Sequence, residues 1–156
     1  MREVGGAYRP ATSAEIRAAA LAHLRTHRMR RGCALASPAL VREYLTVAYG
    51  TRESELFGML LLDQRNQLLG TAELFTGTID GASVYPREVV KAVLTANAAA
   101  VLLFHNHPSC NPEPSAADEL ITRRLCEALA LIEVRVLDHV IIGGDASFSF
   151  AERGLL

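Results

Sequence analysis

The chain has no tryptophan, three cysteines, three methionines and six prolines in 156 residues, and only 6% of it is aromatic. Three cysteines (Cys33, Cys110 and Cys126) are an odd number without framework spacing, so they read as free thiols in a reducing compartment. No apolar run reaches the roughly eighteen residues of a membrane span, and residues 1–10 lack the apolar stretch of a secretory signal. Both absences imply a soluble cytoplasmic chain with no membrane partner. A large net charge is missing too, since the sum is −1. What remains is ordinary globular composition, 50% hydrophobic and 21% charged, in a length that buries one sizeable core without staples.

The charge is balanced overall but not evenly placed. Residues 1–31 hold seven arginines against two glutamates, whereas the remainder holds nine basic and fifteen acidic groups. A basic amino-terminal segment (Arg25, Arg28, Arg30, Arg31) can meet nucleic-acid phosphates or another acidic surface. The same pattern also describes a solvated helix face.

Local signals give the order of elements. Residues 1–11 read as a tail. Thr12-x-x-Glu15 is a capping box opening a helix to about Arg28, with Ile16, Ala19, Ala20 and Leu24 on one face and Gly32 as its cap. Ser37-Pro38 starts a second helix that ends at Gly50. Residues 55–63 are nearly all apolar, as in a central strand, and 68–75 return as the partner of a hairpin. Gly77, Asp80 and Gly81 mark a loop. Pro86 opens a helix with Val89, Val90, Val93 and Leu94 inward. A buried strand follows over 99–105, then a Pro-rich loop. A helix over 116–131 turns Leu120, Ile121, Leu125 and Leu129 inward, and residues 134–142 and 147–150 form a last hairpin about Gly143-Gly144-Asp145. Alternating helices and strands of this kind imply an α/β fold, a mixed β-sheet flanked by helices.

The most informative stretch is residues 101–118, VLLFHNHPSCNPEPSAAD. Strand side chains alternate faces, so His105 and His107 project from one face. The loop through Pro108, Pro112 and Pro114 leads to Ser115-x-x-Asp118, the opening of the next helix. Two imidazoles and one carboxylate are a three-ligand zinc set that leaves a coordination position for water. Ser115-x-x-Asp118 is also a capping box in its own right, and a hydroxyl engaged in capping is less free for other work. Glu73, the carboxylate inside the returning strand, is a candidate general base. Cys110 lies close enough to the histidines to offer a fourth, closing ligand. Asp138 or His139 could orient a ligand from behind.

His-x-His, seven residues, Ser, two residues, Asp resembles the signature of the JAMM (MPN-type) metalloproteases. With LFTGTIDGASVYPREVV before it and RVLDHVIIGG after it, the chain resembles the RadC branch over roughly residues 37–156. The resemblance implies a JAMM/MPN, deaminase-like domain at 37–156 behind a basic tail and helix at 1–36. It implies zinc on His105, His107 and Asp118, with Glu73 as the base. It gives Ser115 a part in holding the oxyanion, and it makes a peptide or isopeptide bond the target of activated water. Residue 110 departs from the family, where glycine is usual after HNHPS. Residues 1–36 also lack the helix-hairpin-helix module of longer RadC-like proteins. The alternative reading is a DNA-repair-associated or DNA-binding accessory protein with a metal site and no significant turnover.

Overall fold

The strands are β1 (Leu56–Leu62), β2 (Leu68–Thr76), β3 (Ala100–Asn106), β4 (Arg135–Gly143) and β5 (Ala146–Ser149). They form one mixed sheet in the order β2-β1-β3-β4-β5. The helices are α1 (Ser13–His27), α2 (Pro38–Tyr49), α3 (Pro86–Ala96) and α4 (Ala116–Ala130). The computed structural model describes residues 9–35, 37–77 and 84–156; the tail before residue 9 and the loop marked by Asp80 and Gly81 lie outside them. Among the described residues, no helix is long and apolar enough to cross a membrane.

Every residue of β1 and β3 is buried, because both faces of the sheet are covered. Only β3 and β4 run parallel, joined by α4 as the crossover, while the other pairs are antiparallel. Residue parity assigns the faces. Leu102 and Phe104 of β3, with Leu60 and Leu62 of β1, pack against Val41, Leu45 and Tyr49 of α2 and Leu24 of α1. Val101 and Leu103, with Phe57, Met59 and Leu61, pack against Val89 and Val93 of α3 and Ile121, Leu125 and Leu129 of α4. Burial of each such side chain is worth about 1.5–3 kcal/mol. The alternation continues one step further along β3, so His105 falls on the face that α4 covers.

The helices start as their sequences predict. Thr12 and Ser115 form complete capping boxes, and Ser37 caps α2 with Pro38 at the first turn. Leu94 (60%) and Leu120 (48%), expected to turn inward, are exposed instead, as are Ile16 (59%) and Ala19 on the expected apolar face of α1. α1 packs on α2, and α3 and α4 meet the rest of the fold along stripes narrower than their apolar sequences. In α3 that stripe is Val89 and Val93, and in α4 it is Ile121, Leu125 and Leu129. Gly32 is not the cap of α1. Arg28 ends that helix, its N–H bonded to Leu24 O, while Gly32 (φ +83°) donates its N–H to Leu68 O at the start of β2.

Candidate metal centre

Three elements bring the histidines and the aspartate together. β3 ends by presenting His105, and His107 follows two residues on, its backbone N–H bonded to Ile142 O at 2.7 Å. The loop then returns so that α4 begins beside both rings, with Asp118 in its first turn. His105 Nε2 lies 3.1 Å from Asp118 Oδ1, and His107 Nε2 lies 3.4 Å from Asp118 Oδ2. The two Nε2 atoms are 3.0 Å apart. His105 and Asp118 are buried, and His107 forms the more exposed rim. These three residues could hold a metal ion.

Hydrogen bonds fix which atoms point inward. His107 Nδ1 lies 2.8 Å from Asn111 O, and a carbonyl only accepts, so Nδ1 carries hydrogen and Nε2 of the neutral ring is bare. His105 Nδ1 lies 2.8 Å from His139 Nε2, which leaves its Nε2 facing His107 and Asp118. Two imidazole nitrogens and a carboxylate converging at these distances repel one another unless positive charge sits between them. A tetrahedral zinc ion with Zn–N bonds of about 2.0–2.1 Å spaces its ligand atoms about 3.3 Å apart, and the observed separations bracket that value. The donor set therefore fits a divalent cation.

The electrostatics agree. Without metal, burial would push the Asp118 carboxyl up, but the His105 and His107 rings, when one of them carries a proton toward it, hold it well below the usual carboxylate range. The hydrogen bond to Asp118 raises His107 above its ordinary value, with a smaller contribution from the charge of Glu55. His139, wholly buried, is pushed far down by desolvation and stays neutral.

The remaining candidates are placed as follows. The Ser115 hydroxyl donates to Asp118 Oδ2 at 2.7 Å and accepts from Asp118 N at 3.2 Å, so it caps α4 and orients the carboxylate. Cys110 turns its thiol toward Pro108 O at 3.8 Å and packs beside Gly144, so it does not join the trio. Asp138 is fully engaged elsewhere, accepting from His139 N, Ala151 N and Ser149 Oγ. His139, not Asp138, is the residue behind the ligand.

Glu73 is the correction. It pairs with Gly58, whose open side faces the Phe104 ring. Its carboxylate accepts from Tyr49 Oη at 3.1 Å and from Arg52 Nη2 at 3.2 Å. That is the α2 face of the sheet, opposite the imidazoles. A register shift between Leu61 and Leu62, near the hairpin turn, sets Glu73 opposite Gly58 and turns it to that face.

Glu55 is the acidic residue nearest in the chain to the paired end of β1: Phe57 pairs with His105, Glu55 stands two residues before it, and its charge contributes to raising His107. Asn106, buried between the two histidines in sequence, holds this segment. Its Oδ1 accepts from Leu56 N at 2.8 Å, and its Nδ2 donates to Ser54 O at 3.2 Å. No sequence signal separates Glu55 from its neighbours Glu53 and Asp63, because its placement depends on a strand pairing between residues far apart in the chain.

Comparison with known proteins shows the family. The family model of the RadC-like JAB domain matches residues 35–155. A UPF0758 protein of Tolumonas auensis is 59% identical over 128 residues, covering 82% of this chain and 57% of that protein. A UPF0758 protein of Vibrio cholerae is 55% identical over 135 residues, covering 86% of this chain and 85% of its own. A third, from Halorhodospira halophila, is 53% identical over 141 residues, 88% of this chain and 63% of that protein. The chain thus spans less than two thirds of the first and third of these relatives.

Proposed function

Because the chain belongs to the RadC-like JAB domain family, we propose that it is a zinc-dependent hydrolase of the JAMM type, acting on a peptide or isopeptide bond of a peptide or protein substrate. The observation that carries this reading is the convergence of two bare imidazole nitrogens and one carboxylate on a single point at the rim of the sheet. Zinc held there supplies a water made acidic enough to yield hydroxide near neutral pH.

The chain's own residues do the rest. His105 and Asp118, both buried, and the less buried His107 would hold the ion. Glu55 is the general base, two residues before the Phe57–His105 pair and close enough to His107 for its charge to be felt by that ring. It takes the proton of the attacking water and returns it to the leaving amine. Ser115 keeps Asp118 turned toward the imidazoles and, on exchanging that hydrogen bond, offers its hydroxyl to the oxygen gaining negative charge. No covalent acyl intermediate is required.

The test is cleavage of peptide and isopeptide bonds by the zinc-loaded chain. Activity lost on chelation and in both His107→Ala and Glu55→Gln, with Glu55→Gln retaining zinc, supports the proposal. Cleavage indifferent to chelation and to both substitutions overturns it.

A second reading, an accessory protein that binds DNA, draws support from the exposure of Arg25, Arg28, Arg30 and Arg31 at and after the end of α1. It predicts an affinity for DNA that falls steeply with salt and disappears when the four arginines are replaced. An affinity indifferent to both rejects it.

A further inference from the structure

Behind the metal-facing residues lies a hydrogen-bonded chain that the hydrolytic reading does not use. Thr122, on α4 one turn after Asp118, is buried, and so is His139 on β4. Thr122 Oγ1 lies 2.6 Å from Asp118 O, His139 Nδ1 lies 2.6 Å from Thr122 Oγ1, and His139 Nε2 lies 2.8 Å from His105 Nδ1. The His139 ring is clamped between aromatic side chains, stacked on Phe150 at 4.9 Å and edge-on to Phe57 at 5.6 Å.

Counting hydrogens along the chain leaves one arrangement. The Asp118 carbonyl can only accept, so the single hydroxyl hydrogen of Thr122 goes to it. Thr122 Oγ1 must then accept from His139 Nδ1–H. A neutral His139 with hydrogen on Nδ1 has a bare Nε2, which accepts from His105 Nδ1–H. His105 is thereby left with a bare Nε2, the atom aimed at Asp118 and His107. The chain also closes on itself, because it ends on the backbone of Asp118, whose side chain supplies another corner of the trio.

We propose that Thr122 and His139 are positioning residues that set the tautomer and ring direction of His105, presenting its Nε2 lone pair to a divalent cation. The proposal rests on the metal-site reading but makes a separate claim: that the hydroxyl of Thr122, two hydrogen bonds removed from the His105 ring, governs metal affinity. Partners of this kind, hydrogen-bonded to a ligating imidazole, are typically worth about 10–100-fold in metal affinity.

The shape of Thr122 can be kept while its hydroxyl is removed. In Thr122→Val, His139 Nδ1–H loses its acceptor. The ring then gains by moving its hydrogen to Nε2, where it donates to His105 Nδ1 and forces the His105 hydrogen onto the metal-facing Nε2. Thr122→Ser keeps the hydroxyl and serves as the rescue. Two readouts apply: zinc affinity by competition with a chromophoric chelator, and the tautomer of His105 from the nitrogen chemical shifts of its ring in the metal-free protein. We expect Thr122→Val to weaken zinc binding about 10–100-fold and to move the His105 hydrogen to Nε2, with Thr122→Ser near wild type in both.

Wild-type zinc affinity in Thr122→Val, or equal weakening in Val and Ser variants, overturns the proposal. So does a His105 ring that carries its hydrogen on Nε2 in the wild-type protein. A wild-type chain that binds no zinc but shows His105 hydrogen on Nδ1, displaced only in Thr122→Val, sinks the metal reading and leaves the relay standing.

Discussion

The Nε2 atoms of His105 and His107 lie 3.0 Å apart, each left bare by a hydrogen bond made at the opposite side of its ring. Neutral imidazoles do not approach this way without positive charge to share, and Asp118 completes the set.

That relationship makes stability depend on pH differently with and without metal. Without metal, a proton on His107 satisfies the site. Its raised folded value means this stabilisation is fully present below about 6.5 and is lost as pH rises through the raised value. Asp118 is depressed, so its contribution is present above about 3.8 and is lost as pH falls below it. Buried His139, pushed far down, opposes the His107 effect, since its contribution is present above about 6.5 and is lost as pH falls below it. Zinc competes with the His107 proton, so its stabilising effect should grow as pH rises from 5 to about 8. Thermal melts with chelator and with zinc across that range check this; a zinc effect that grows on acidification contradicts it.

The two strand glutamates should separate cleanly. Glu55→Gln should lower turnover by about 10²–10⁴ while leaving zinc content intact. Glu73→Gln weakens only a half-exposed pair with Arg52 and a bond from Tyr49, so it should cost about 0–1 kcal/mol of stability and little activity. Side-by-side kinetics of the two variants decide the assignment.

Cys110 occupies a backbone position that favours glycine, with φ +60°. An L-residue pays about 1–2 kcal/mol there, partly offset by the greater unfolded-state freedom of glycine. Cys110→Gly should raise stability by about 0.5–1 kcal/mol in denaturant titrations and leave zinc content unchanged. A loss of zinc in this variant would make Cys110 a ligand after all.

Gly143 should be essential to His107 although it touches no ring. A Cβ there would come within 2.5 Å of Pro112 N and 2.8 Å of Asn111 C, forcing away the segment whose carbonyl orients His107. Gly143→Ala should weaken zinc binding by about tenfold or more. Gly70→Ala, which meets nothing within 4 Å, is the control and should change nothing.

Much of this was legible along the chain. The capping boxes at Thr12 and Ser115 are local, and the parity of β3 alone puts His105 and His107 on one face. Sequence spacing also brought Asp118 into view, because the loop is short. What could not be read depends on pairing across the sheet. Glu55 comes to the His105 end of the sheet only because β1 runs antiparallel to β3, and Glu73 turns away because of a register shift between Leu61 and Leu62. His139 reaches His105 through the parallel pairing of β3 and β4, and Thr122 closes the chain from α4. Helix faces were overread for a different reason: Leu94 and Leu120 are apolar but lie beside the packed stripe, not on it.

The central claim is that His105, His107 and Asp118 grip one divalent cation. Zinc content of the reconstituted, desalted chain measured by atomic spectrometry tests it most directly. The account predicts about one equivalent in the wild-type protein and a small fraction of that in His107→Ala. Well under one equivalent in the wild type, or the same content in both, would contradict it.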